Sequence, residues 1–321
     1  MKGYPNVRKL MGADSYTFLI KELEKCDEKI LEPLSSVDWP RDMPVKTGGG
    51  IVENISAVDV VYASSGGDED NIFFEPANEI PMIQADFGKL IARTFNWAEY
   101  LSISLLEREK MANIARDPME FLDKGLRLHF DKTLDRNVYK GFEKVKSTGL
   151  VNCTRVVRSM AASADSTVTH TQWDLKTADQ ILNDINQIIS DVWQNNDCAS
   201  DALPNHILIP IRQFGMIATK KVSDDATMTI LEYVTKNNIA AQQGVELIIS
   251  PCKWCAGVGA GSRDRMVCYQ NREDRICFNL TQPLIRMTEE RSDMRLKIPY
   301  IGQFSEVRFL YITTVRYLDG I

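Results

Sequence analysis

Between Ser35 and about Pro81 the chain has almost nothing to collapse around. Pro40, Pro44, Gly48, Gly49, Gly50, Gly66, Gly67, Pro76 and Pro81 interrupt short β-prone runs such as AVDVVYA. Glycine and proline are the strongest punctuators of local structure, and a stretch this long without a hydrophobic pattern of its own is unusual inside an ordinary domain. Ile51, Val60, Val61, Ile72, Phe73 and Phe74 have no evident partner within it. A segment that cannot bury itself must find its cover elsewhere. The stretch therefore predicts a long hairpin that packs on something outside its own subunit.

The remainder of the 321 residues reads as folded protein, long enough for a substantial core and two or three subdomains. Ser15 to Leu31 predicts a short amphipathic helix, with Phe18, Leu19 and Leu23 on one side and Pro33 ending it. MIQADFGKLIARTFNWAEYLSIS predicts a returning strand leading into a helix from about Ser102 to Ala115. Asp117 followed by Pro118 is a helix start, since Asp caps exposed N–H groups and Pro suits the first helical position. From there Phe121, Leu122, Leu126, Leu134, Val138 and Phe142 keep a helical pattern to about Lys146, on the order of 42 Å at the standard rise. Thr177 and Gln180 form a capping-box pattern ahead of Ile181, Ile185, Ile188, Ile189 and Val192. HILIPI and VELIIS predict short buried strands flanking a helical section that contains TMTILEYVTKN. Val307, Phe309, Tyr311, Thr313, Val315 and Tyr317 alternate with Arg308 and Arg316, as in a strand with two different faces.

The formal charge of -6 gives no general attraction to nucleic acid or anionic lipid. Seven cysteines, spread from Cys26 to Cys277, fit reduced thiols better than a disulfide framework. The N-terminal residues are mixed and polar, and no run approaches the roughly 18 apolar residues of a membrane span.

The most suggestive chemical motif is SPCKWCAGVGAGSRDR, Ser250 to Arg265. A structural zinc site needs four ligands, but Cys268, Cys277 and His206 do not supply a second pair at matching spacing. A redox dithiol needs its first Cys at a helix N-terminus, whereas Cys252 and Cys255 are followed by AGVGAG, which will not start a helix. Gly257, Gly259 and Gly261 follow G-x-G-x-G rather than the dinucleotide fingerprint, and the next residues read as a strand. Alternating glycines between two strands predict a mobile loop, and replacing both cysteines by Ser is expected to leave folding unaltered. His129, His170 and His206 fall in different segments and read as structural or surface histidines. GGDEDN, Gly66 to Asn71, lacks the ordered ligand spacing of a calcium loop. These residues supply no catalytic, cofactor-binding or metal site, and the chain is expected not to be an enzyme.

The order of the pieces resembles the major capsid protein of tailed bacteriophages, with the Hong Kong ninety-seven type of fold. GLVNCTRV, ILNDINQIISDVW, HILIPIRQFGMIAT, TILEYVTKNN, SRDRMVCYQ and the final YLDGI are similar to segments of one branch of that family, in the same order. The resemblance covers about Phe18 to the end and implies an α+β capsid fold. Residues 1–45 would form an N-arm and 46–95 an extended loop over a neighbouring subunit. Residues 96–164 would form a peripheral domain with the spine helix, 165–282 an α/β axial domain, and 283–321 strands returning to the peripheral domain. Ser250 to Arg265 would lie near a capsomer axis. The resemblance further implies hexamers and pentamers of an icosahedral virion shell around DNA held without sequence specificity, assembled in the bacterial host cytoplasm. Expected partners are the chain itself, a separate scaffolding protein, a portal and a decoration protein, with no membrane. Lys46 and Lys89 lie in or beside the extended loop, but sequence shows neither the Asn nor the Glu of the covalent cross-link some relatives make. An encapsulin-like nanocompartment shell is the alternative within the fold. A cytosolic oxidoreductase or zinc enzyme using Cys252, Cys255 and the glycine loop is the alternative outside it.

Overall fold

The structure, a computed structural model, describes residues 36–64, 82–112, 118–165, 170–223 and 226–321. The predicted helix at Ser15–Leu31, the hairpin tip and GGDEDN lie outside the described residues. In chain order the elements are α1 (Trp39–Asp42), β1 (Val45–Thr47), β2 (Asn54–Ser64), β3 (Ile83–Ser104), α2 (Leu105–Ala112), α3 (Pro118–Tyr139), β4 (Val157–Met160) and α4 (Ala178–Gln194). There follow β5 (His206–Ile209), α5 (Ile211–Thr219), α6 (Ile230–Asn237), α7 (Ile239–Gln242), β6 (Ile248–Pro251), β7 (Arg265–Tyr269), β8 (Ile276–Leu280) and β9 (Gln282–Arg286). The chain closes with β10 (Glu290–Ser292), β11 (Arg295–Ser305), β12 (Arg308–Phe309) and β13 (Val315–Asp319).

The strands make three sheets. β4-β13-β7-β5-β6 is central, β10-β11-β3-β2 with β9 on β11 is peripheral, and β1-β8-β12 is small. The central sheet is covered on both faces, and the period of two in its strands sorts side chains between two cores. Val267 and Tyr269 of β7, Leu208 of β5 and Tyr317 of β13 enter one core with Leu134, Val138 and Tyr139 of α3. Met266, Cys268, Ile207, Ile209 and Leu318 enter the other with Ile181, Ile185, Ile188 and Ile189 of α4 and Val234 of α6. The capping box of α4 forms as its sequence predicts, with Thr177 Oγ1 accepting from Gln180 N and Gln180 Oε1 from Thr177 N.

Three expectations are corrected. The spine helix stops at Tyr139 instead of running to Lys146, because Gly141 takes a left-handed conformation (φ 67°) and its N–H bonds back to the carbonyls of Arg136 and Asn137. The helix after β3 starts at Leu105 rather than Ser102, since Ser102 and Ser104 still pair with Lys297 and Arg295 in β11. The C-terminal alternation belongs to two strands, not one. A 3-10 turn at Ile312–Thr314 separates β12, paired with β8, from β13, paired with β4 and β7. β13 thus lies in the central sheet, away from β9 to β11, with which the sequence grouped it.

One buried carboxylate ties these parts together. Asp42 Oδ2 accepts from the Tyr139 hydroxyl of α3, and Asp42 Oδ1 lies 3.2 Å from His206 Nε2 of β5. Its backbone carbonyl accepts from the Tyr269 hydroxyl of β7 at 2.5 Å. Arg41 completes the charge balance through Nε at 2.6 Å. Burial pushes the Asp42 carboxyl up, but the hydrogen bonds from Arg41, His206 and Tyr139 outweigh it and hold it below the ordinary carboxylate range. A depressed carboxyl adds stability that is present above its unfolded value and lost as pH falls through its folded one. Asp42→Asn is expected to cost about 3 kcal/mol near neutral pH, as for breaking a buried pair. In denaturant melts the gap from wild type should narrow below about pH 4, where the unfolded-state carboxyl titrates; a gap constant with pH would count against this account.

Candidate assembly interface

β2 and β3 pair antiparallel from Asn54↔Arg93 to Ser64↔Ile83. The 11 residues of β2 give a ribbon of about 36 Å at the standard rise. This is the hairpin the sequence predicts, and its register sorts the side chains by face. Val58, Val60 and Tyr62 of β2 share one face with Ile83, Phe87 and Ile91 of β3, which also carries Lys89 opposite Val58. The other face carries Asp59, Asp86 and Gln84 among Ile55, Ala57, Leu90 and Val61. The apolar face is bare, with Phe87 69 % and Ile83 74 % exposed.

β3 shows why the face is left open. Nearer its end the same side of the strand carries Phe95, Trp97, Leu101 and Ile103. The spine helix and β11 cover them: Trp97 meets Phe130 of α3 edge-on at 5.0 Å, and Leu101 and Ile103 pack with Leu126, Leu296, Ile298 and Tyr300. Glu99, also on this side, meets His129 Nδ1 at 2.8 Å. Arg93 marks the changeover, its guanidinium donating to the carbonyls of Val145 and Lys146 just past the end of the helix. Beyond Arg93 no further helix among the described residues lies on the strand, while the apolar pattern continues. Exposed contiguous apolar surface of this kind marks an interaction site. Fully burying one such side chain is worth about 1.5–3 kcal/mol, so covering five or six gives an appreciable contact.

The three histidines remain apart, while Cys252 and Cys255 meet each other in the buried core beside Asp42, Tyr139 and Tyr269. His129 pairs with Glu99, His170 with Asp165 and His206 with Asp42. Lys46 is 3.2 Å from Glu273. Among the described residues no group of three or more His, Cys, Asp or Glu is placed to hold a metal ion, and no helix is long and apolar enough to cross a membrane.

The glycine loop is braced rather than loose, which corrects its reading as a mobile loop. Asp264 Oδ1 accepts from Gly257 N at 2.9 Å, Asp319 Oδ2 from Ala260 N at 2.8 Å, and the Arg263 carbonyl from Gly259 N at 2.8 Å. A Cβ on Gly259 would fall 2.8 Å from the Arg263 carbonyl oxygen and 2.9 Å from Asp319 Cγ, so this glycine permits close packing. Asp319 is itself held by the buried Arg265, through Nε and Nη2. Sequence could not reveal this, because the bracing carboxylate arrives from the last strand.

The geometry is that of a subunit with its own cores and one ribbon whose apolar face is left exposed. A model of the major capsid protein family matches residues 68–321, and the chain belongs to that family. Among solved structures it is similar to the capsid of Myoviridae phage XM1, at 14% identity and TM-score 0.75, covering 94% of this chain and 98% of that one. The capsid of a native GTA particle aligns at 9% identity and TM-score 0.64 over 92% and 94% of the two chains. A structure from Microbacterium phage Oxtober96 aligns at 10% identity and TM-score 0.59 over 96% and 99%. No curated protein matches by sequence.

Cys252 and Cys255 are buried in the core with Tyr139 and Tyr269, so the expectation that they can become Ser without effect is withdrawn. The two thiols hydrogen-bond each other, but hydroxyls are more strongly hydrated than thiols, and burying the pair among apolar side chains costs about 1–3 kcal/mol. Cys252→Ser with Cys255→Ser should lower the melting temperature, whereas Ala at both positions should do less harm. Equal melting of the Ser pair and wild type would contradict the burial.

Proposed function

We propose that the chain is the shell-building subunit of a phage capsid, arranged in hexamers and pentamers of an icosahedral shell around DNA, with the β2–β3 ribbon lying over a neighbouring subunit. The observation that carries this reading is the bare apolar face from Ile83 to Ile91, continuous with a face that the subunit covers for itself. Identical copies related by closed symmetry offer each ribbon the same cover. In this reading residues 1–45 are the N-arm, 46–95 the extended loop, 96–164 the peripheral domain with α3 as its spine, and 165–282 the axial domain. Of residues 283–321, β9 to β11 complete the peripheral domain and β13 completes the central sheet. A scaffolding protein, a portal and a decoration protein remain the expected partners in the host cytoplasm. The role is structural, and negative charge on the wall keeps packaged DNA from adhering to it.

The test is a ribbon variant, Tyr62→Asp with Phe87→Asp. Both side chains are exposed, so the subunit should melt within about 0.5 kcal/mol of wild type, as surface substitutions do. Sedimentation velocity and negative-stain microscopy should show shells from wild type, with its scaffold, and none from the variant. Normal shells from the variant would refute the role given to the ribbon; a wild type that stays monomeric under all such conditions would refute the shell.

A further inference from the structure

The last turns of the spine helix carry a line of cations. Lys132, Arg136 and Lys140 recur every four residues along α3 and its continuation, where the Lys140 N–H still bonds to the Arg136 carbonyl at 2.8 Å. Residues four apart on a helix are neighbours on one face, so the three stand about 6 Å apart along the axis. Lys144 and Lys146 follow in the turn past the helix end. Four of the five are exposed, and Lys140 is half-buried with its ammonium over the Trp254 ring. Among the described residues none of the five pairs with a carboxylate. Of the two acids in this stretch, Asp135 is buried and already held by Lys253 at 2.8 Å and by Trp254 Nε1 at 2.9 Å, which leaves Glu143 exposed. The negative pole of a helix favours cations in its last turn, which accounts for Arg136 and Lys140. It does not reach Lys132, about two turns from the end, so the line as a whole lacks a counter-charge.

The matching charge is in the same sequence. The segment joining β2 to β3, residues 65–81, holds Asp68, Glu69, Asp70, Glu75 and Glu79 and no Lys, Arg or His. Those five carboxylates account for nearly all of the chain's net -6, so the remainder is close to neutral. The ribbon carries them away from the helix end of their own subunit. Its root lies at that helix end, where Arg93 donates to the Val145 and Lys146 carbonyls. The last ladder pair before the segment, Ser64↔Ile83, is about 33 Å out along the strand. The acidic segment and the cationic helix end are therefore complementary, but one ribbon's length holds them apart within a subunit.

We propose that the acidic segment 68–79 of one copy's ribbon docks on Lys132, Arg136, Lys140, Lys144 and Lys146 of a neighbouring copy. The inference rests on the shell reading, and adds to it the place where a ribbon lands. Charge complementarity selects the partner, since each copy brings one acidic segment and one cationic helix end. A contact between two different surfaces of identical subunits closes into a ring under rotation, so every helix end is met by the copy before it.

Isotope-labelled and unlabelled subunits are assembled together into particles free of DNA and treated with a water-soluble carbodiimide, which joins a lysine amine to a carboxylate only in direct contact. The expected product, read by mass spectrometry, is a mixed-label amide link between Lys132, Lys140, Lys144 or Lys146 and the peptide carrying Asp68 to Glu79. Particles in which these lysines link only within their own subunit, only to another protein, or to nothing would overturn the docking while leaving the shell intact. Lys132→Glu with Arg136→Glu should cut the yield of particles about tenfold, since several exposed pairs turn repulsive together, with subunit melting unchanged. Adding Asp68→Lys and Asp70→Lys in the same chain should restore the yield. Particles from the first variant at the wild-type yield, or no restoration in the second, would overturn the docking. So would a defect confined to DNA filling, which would give the cations to the packaged genome. No particles from the unmodified chain, with its scaffold, would overturn the shell reading and this inference with it.

Discussion

The structure depends on one strand that outruns its cover. β3 is 22 residues long, and one of its faces is apolar through most of that length. The spine helix covers it where Trp97, Leu101 and Ile103 point, and past Arg93 no helix among the described residues does. A two-stranded ribbon is marginal alone in water, so this one must be supported at its root and finished by contact elsewhere. The root is well held. Val52 donates to Gln303 Oε1 at 2.9 Å, Thr94 Oγ1 donates to the Val52 carbonyl at 2.6 Å, and β3 stays paired with β11 from Thr94 to Ser104.

The Asp42 centre explains why such an arm can project without loosening the body. The chain approaching the ribbon passes through α1, where Asp42 joins spine helix, β5 and β7 at a single carboxylate. Asp135 of α3 adds a second clasp, accepting from the Asp38 N–H at 3.2 Å and from Trp254 Nε1 at 2.9 Å. Such groups are costly to separate once buried, so force on the ribbon meets the rigid part of the subunit a few residues away.

Much of this was legible in the sequence because it depends on local pattern. The capping box at Thr177 and Gln180, the isoleucines of α4, the buried strand HILI and the strand RMVCY follow from local pattern, whereas VELIIS, read as a second buried strand, leaves Ile248 exposed at the sheet edge. The hairpin was legible for the opposite reason, since glycines, prolines and unpartnered apolar residues described a segment that could not complete itself. What sequence missed depends on distant partners. Gly141 is one glycine in a helical pattern, and only the hydrogen bonds to Arg136 and Asn137 make it a stop. Cys252 and Cys255 read as loop because glycines follow, but Tyr139 and Tyr269 from other elements bury them. The alternation from Val307 to Tyr317 gave the right faces and the wrong continuity, because Leu310 and Tyr311 both donate to the Arg275 carbonyl and turn the chain between sheets.

Folding and assembly draw on separate surfaces in this molecule, which follows from where its apolar residues lie. The two large cores are closed by residues of the body alone, and the ribbon's face contributes to neither. The subunit's cores therefore do not depend on the ribbon's face, which stays exposed. A deeper ribbon core would have stabilised the isolated subunit and removed the reason for it to associate.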